Sequence, residues 1–142
     1  MTTDGTLVPV RTVAVPRRLT RRLLCLVPGL TVAIYAGTQA TAHGLGLVPL
    51  LLFGIVPHLP VLLGIGQPHA RGQLASRAVP LFNAMHHPAP PLAVIALAAA
   101  GVLSPFWFVG GLAWLGHIAV DLALGDGLRT RDGLRRAGWT WR

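Results

Sequence analysis

The sequence predicts an all-α membrane protein, a transmembrane four-helix bundle made of two antiparallel hairpins. Three observations predict it. Hydrophobic residues make up 53% of the chain and charged residues 11%, less than half the charged share of an ordinary soluble domain. The mean hydropathy is +0.61, so a soluble fold of 142 residues has too few charges to screen its apolar surface. The charges are also clustered. There is no lysine and no glutamate, and the twelve arginines fall at Arg11 to Arg22, at Arg71 and Arg77, and at Arg129 to Arg142, with apolar runs between.

The elements follow in order. Residues 1–22 form a basic tail. Span one covers 23–42, "LLCLVPGLTVAIYAGTQATA", and span two covers 45–66, "LGLVPLLLFGIVPHLPVLLGIG". Span three covers 78–103 and span four 106–124, and residues 125–142 form a second basic tail. Each span is long enough to cross a hydrocarbon core of roughly 30 Å at about 1.5 Å per residue. Pro88, Pro90 and Pro91 interrupt the third. Begun after Pro91 it is too short to cross, so it is extended back to 78 and expected to kink; neighbouring groups in a bundle satisfy the carbonyls that prolines free.

Orientation follows from arginine. The link around "HGLG" and the link Ser104-Pro105 carry none, whereas both tails and the middle loop "QPHARGQLASR" carry all of them. The positive-inside rule then places both termini and the middle loop in the cytoplasm of a multi-pass inner-membrane protein. Arginine-only, Ala/Gly/Pro/Leu-rich usage suggests a bacterial source. A second reading of the N-terminus is a cleaved signal peptide ending at "ATA", Ala40 to Ala42, although the apolar run is long for one; the other spans keep their orientation either way. The partner expected is membrane lipid. The net charge of +8 does not indicate nucleic acid, which calls for a basic face on a soluble domain. Arg17, Arg18, Arg21 and Arg22 at one end, and Trp139 and Trp141 in "RDGLRRAGWTWR" at the other, are expected to lie on the membrane surface; disordered tails are the alternative. With Cys25 alone, no intramolecular disulfide forms.

Polar side chains recur at one depth within this apolar frame. His117 and Asp121 stand four residues apart in "WLGHIAVDLALGDGLR" and so share a helix face. Gly110 and Ala113 fall on the same side, and small residues mark close helix approach in membranes, so this face is expected to look into the bundle. His58 lies between Pro57 and Pro60, and Asn83, His86 and His87 lie in "FNAMHHPAPP". Counted from the cytoplasmic ends, His58, His86 and His117 sit roughly 12 Å deep at about 1.5 Å per residue, with Asp121 and Asn83 about one turn shallower. Ionisable groups at such depth pair with one another or line a cavity.

Three readings of the layer compete. His58, His86, His117 and Asp121 suit a divalent metal such as zinc, and with an open position such a site supports metal-assisted hydrolysis; Asn83, one turn from His86, would then orient a ligand or substrate. The same groups without metal suit a proton or ion relay in a small transporter. The third reading is a structural hydrogen-bond network in a non-enzymatic membrane component. His87 is rotated away from His86 on a helix, and His43 and His69 lie in loops facing water. There is no phosphate-binding glycine loop, no CxxC and no HExxH, Ser76 and Ser104 lack a His-Asp neighbourhood, and "GDG" at Gly125 to Gly127 reads as a helix stop.

Phe82, Asn83 and His86, then His117, Ile118 and Asp121 followed by Leu124, Gly125, Gly127 and Leu128, resemble the motifs of a family of small bacterial four-helix membrane proteins catalogued only as a domain of unknown function. The resemblance covers roughly residues 45–133. It implies a topology and marked positions, and no activity. The chain departs from the family pattern at three places: His58 stands after Pro57 where aspartate is usual, Leu122 where arginine is, and Asp126 where tyrosine is.

Overall fold

A computed structural model of the chain describes residues 17–135. Among these residues the structure is helical and contains no strand, only an isolated antiparallel bridge between Arg129 and Arg135. Five α-helices and one 3₁₀ segment run in the order α1 (Arg17–Ala42), α2 (Val48–Ile55), the 3₁₀ segment (Val56–Gly64), α3 (Val79–Met85), α4 (Ala89–Ala99) and α5 (Pro105–Leu124). Two stretches, Arg22–Ala42 in α1 and Pro105–Leu124 in α5, are long and apolar enough to cross a membrane.

The central element is α5, which packs against α1, α2 and α4. It begins at Pro105, whose missing N–H is no loss in a first turn, and stops at Gly125 in the left-handed region with φ +86°, the helix stop expected of "GDG". Ten of its residues are buried, among them Leu112, Trp114 and Ile118, which join Ala36 of α1 and Phe53 of α2 in the main core. On the α1 side the backbones nearly touch. A Cβ placed on Gly116 would lie 3.1 Å from the carbonyl oxygen of Gly29, and one on Gly29 would lie 2.9 Å from Ala119 Cβ.

The second predicted span is not one α-helix. After Ile55 the chain tightens into a 3₁₀ segment of nine residues, unusually long for that geometry. Pro57 and Pro60 lack the N–H that an α-helix would use and force the change. Their three-residue spacing puts both on one face of a helix with three residues per turn, and both are fully buried. The steeper rise per residue brings α2 and the 3₁₀ segment together to roughly 30 Å.

The third predicted span breaks where a kink was expected. It divides into α3 and α4 around His86 to Pro88, because Pro88, Pro90 and Pro91 deprive three of four consecutive positions of α-helical donors. Carbonyls freed at the break find partners from elsewhere: Trp114 Nε1 donates to Met85 O at 2.7 Å.

The segment after α5 is not all tail. Gly125 to Arg135 folds back against α3 and the middle loop. Leu74 N donates to Gly133 O at 2.9 Å, and the Gln73 side-chain amide donates to Asp132 O. Gly133 has φ +76°, and a Cβ there would collide with the Leu74 backbone, so only glycine fits the crossing. Arg22 is exposed. The side chains of Arg17, Arg18 and Arg21, and Trp139 and Trp141 entirely, lie outside the described residues.

Candidate metal centre

Three elements deliver one histidine each. The 3₁₀ segment carries His58, the C-terminal end of α3 carries His86, and α5 carries His117 together with Asp121. Their donor atoms all lie within 4.8 Å of one another. Three Nε2 atoms converge on a single carboxylate oxygen, Asp121 Oδ2, at 3.2 Å from His86, 3.3 Å from His117 and 3.8 Å from His58. The grouping expected from counting depth along the sequence is therefore present. His86 is 2% exposed and Asp121 is buried, whereas the His58 side chain is 49% exposed, so the group opens to one side.

The hydrogen bonding of His86 fixes its chemistry. Its Nδ1 lies 2.9 Å from Phe82 O, and a carbonyl oxygen only accepts, so Nδ1 carries the proton. In a neutral imidazole the lone pair is then on Nε2, and Nε2 faces Asp121 Oδ2, itself an acceptor, at 3.2 Å. Two lone pairs at this separation repel unless a cation, a proton or a metal ion, sits between them. A backbone carbonyl holding one ring nitrogen while the other points at a ligand is the arrangement that orients metal-binding histidines. His117 Nε2 adds to this. It lies 3.3 Å from Asp121 Oδ2 as an ion-pair contact and is buried with no hydrogen-bond partner besides that contact.

Two of the spacings fit a shared ion, while the donor set as a whole spreads over as much as 4.8 Å. A tetrahedral zinc with bonds of about 2.0–2.1 Å sets its ligand atoms about 3.3 Å apart. The His86 and His117 separations from Asp121 match that edge; His58, at 3.8 Å, is looser and more exposed. The donor set, imidazole nitrogens with one carboxylate, is one that divalent transition ions favour.

The surroundings hold these groups in place. Phe82 stacks on His86 with ring centroids 3.9 Å apart and planes 17° from parallel, and the Arg129 guanidinium carbon lies 5.5 Å from the Phe82 ring centroid. Asn83 is outside the donor group. Its amide pairs with the Arg129 backbone, Nδ2 donating to Arg129 O at 2.9 Å and Oδ1 accepting from Arg129 N at 2.8 Å. It thus clamps the returning segment over the site. His87 Nδ1 accepts from Ala89 N at 3.2 Å at the start of α4. His43 and His69 are exposed.

Sequence reasoning missed Phe82, Asp126, Arg129 and Arg135 as neighbours of the histidines. Asp126 Oδ1 accepts from Arg129 Nη2 at 2.7 Å and lies 3.0 Å from Arg135 Nη2. Asp126 and Arg129 are three apart, but they lie beyond the helix stop, where that spacing carries no pairing rule. No protein-family model, curated protein or solved structure matches the chain.

Proposed function

We propose that the chain is a multi-pass membrane protein that holds one divalent ion, zinc or a similar metal, between His58, His86, His117 and Asp121, and uses it for hydrolysis at the membrane interface. The observation that carries the metal reading is the confrontation of two acceptors, His86 Nε2 and Asp121 Oδ2, at 3.2 Å beside His117 Nε2, buried 3.3 Å from the same oxygen. A bound ion supplies Lewis acidity toward water and a scissile ester. The half-exposed His58 leaves the centre a side from which water and substrate can approach, as catalytic rather than closed structural sites require.

The membrane reading draws support from α1 and α5, each apolar over a spanning length, and from α2 with its 3₁₀ continuation, which reaches roughly the thickness of a hydrocarbon core. Leu24, Val27 and Ile34 of α1 and Leu51, Ile55 and Leu62 of the second element are exposed, as lipid-facing side chains are. Both tails and the middle loop would face the cytoplasm by the positive-inside rule, in a bacterial inner membrane with lipid as the surrounding partner. A second reading, a relay or structural network, has one observation in its favour: a proton between His86 and Asp121 relieves the same repulsion.

Metal analysis of the full chain purified in detergent separates the two. The expected result is one equivalent of divalent metal per chain, removed by chelator and restored by zinc with a rise in thermal stability. A metal-free chain whose melting is indifferent to zinc would leave only the relay or the network.

A further inference from the structure

We propose that the cavity beside the histidines is a seat for the phosphate group of a phosphomonoester substrate. This rests on the metal reading and adds a substrate class to it. The cavity is about 270 Å³, and His58, Phe82, Asp126, Arg129 and Arg135 are among its lining residues. His58 belongs both to the metal group and to this lining, so a group seated here abuts the centre at its most exposed ligand.

The charges at the seat do not balance. Arg129 and Arg135 both direct a guanidinium at the one carboxylate of Asp126, which leaves one positive charge uncompensated among these three. The Arg129 side chain is only 12% exposed, and its Nε is buried without a hydrogen-bond partner. The guanidinium already holds Asp126, but a buried Nε donor left without an acceptor is costly, and an oxyanion in the cavity would supply one. Its fork of donors matches the oxygens of a phosphate.

Arg129 is also held in position. Asn83 fixes its backbone from both sides, and Phe82 lies under its guanidinium. Phe82 in turn stacks on His86, so the anion seat and the metal group share one wall. In the hydrolysis that follows from this placement, water oxygen forms a new bond to phosphorus as the ester P–O bond breaks. One water proton leaves with the alcohol, and the products are the alcohol and inorganic phosphate.

The test is equilibrium dialysis of labelled inorganic phosphate against the full chain in detergent, with zinc content measured on the same samples. Arg129→Gln and Arg135→Gln are each expected to weaken phosphate binding about tenfold, the order set by loss of one charge-assisted contact, with zinc content unchanged. Arg135 is half-exposed, so its variant reports even if Arg129→Gln fails to fold. Phosphate binding undiminished in both variants, or absent from the unmodified chain, overturns the seat. Arginine-dependent phosphate binding by a chain that takes up no zinc keeps the seat and removes the metal reading instead. Mixed micelles carrying phosphatidic acid, with phosphatidylcholine as control, identify the source of the group. Displacement of phosphate by phosphatidic acid alone assigns a lipid monoester, and phosphate binding without displacement assigns a soluble one.

Discussion

Asp121→Asn is expected to abolish metal binding while leaving the metal-free protein at least as stable as before. The first half follows from charge: the carboxylate is the only anion in the donor group, and an amide is a far weaker ligand for a divalent ion. Loss of an outer-shell partner alone costs about 10–100-fold in affinity, so removing the anionic ligand itself costs at least that much. The second half follows from the facing acceptors. His86 Nε2 and Asp121 Oδ2 stand 3.2 Å apart, and without an ion between them an asparagine in the same shape can turn its N–H₂ toward His86. The repulsion becomes a hydrogen bond worth about 1 kcal/mol. Thermal melts with chelator, beside zinc titrations of the same variant, check both. A variant that melts well below the metal-free parent would mean that His86 and Asp121 share a proton as an ion pair, since removing one partner of a buried pair is strongly destabilising.

Gly116→Leu is expected to be strongly destabilising although it lies away from the polar group. Gly116 packs against Gly29 and Ala33 of α1, with a Cβ placed 3.1 Å from Gly29 O and 3.2 Å from Ala33 N. Backbone cannot move aside as a flexible side chain can, so the helices must separate. Overpacking of this kind costs about 1–3 kcal/mol and occasionally more, and it falls on the contact between the two longest helices. Gly37→Leu on α1 is the control, because a Cβ there meets nothing within 4 Å. Circular dichroism melts in one detergent should show a clear loss for Gly116→Leu and almost none for Gly37→Leu. Equal losses would mean that the α1–α5 approach is not the close contact described.

Parts of this were legible in the sequence for definite reasons. The start of the last helix is predicted to within a residue because Ser104-Pro105 and Gly125 bracket an apolar run interrupted only by His117 and Asp121. His117 and Asp121 were assigned to one face by their spacing alone. His58 and His86 joined them by counting depth, although one lies on a 3₁₀ segment and the other at a helix end; the grouping held even though the steeper 3₁₀ rise shifts His58 by about 4 Å over eight residues. How far the proline-rich stretches would depart from α-helix was not legible. Two prolines three apart turned span two to 3₁₀, and three within four residues cut span three in two. Local sequence warns of disruption in both, but the outcome is set by which neighbours satisfy the freed groups, such as Trp114 at Met85. The return of residues 125–135 was not legible either. Its ties, Asn83 to Arg129 and Leu74 to Gly133, join positions far apart in the chain and leave no periodicity to read. That is why the arginines beside the site were taken for a surface tail.

X-ray absorption at the zinc edge of the zinc-loaded full chain tests the central claim most directly. The account predicts a four- or five-coordinate nitrogen/oxygen shell at about 2.0–2.1 Å, with the multiple-scattering signature of two or three imidazoles and no sulfur. The imidazole signal should fall in His117→Ala. A shell of water alone, a sulfur ligand from Cys25, or an imidazole signal untouched by that substitution would contradict it.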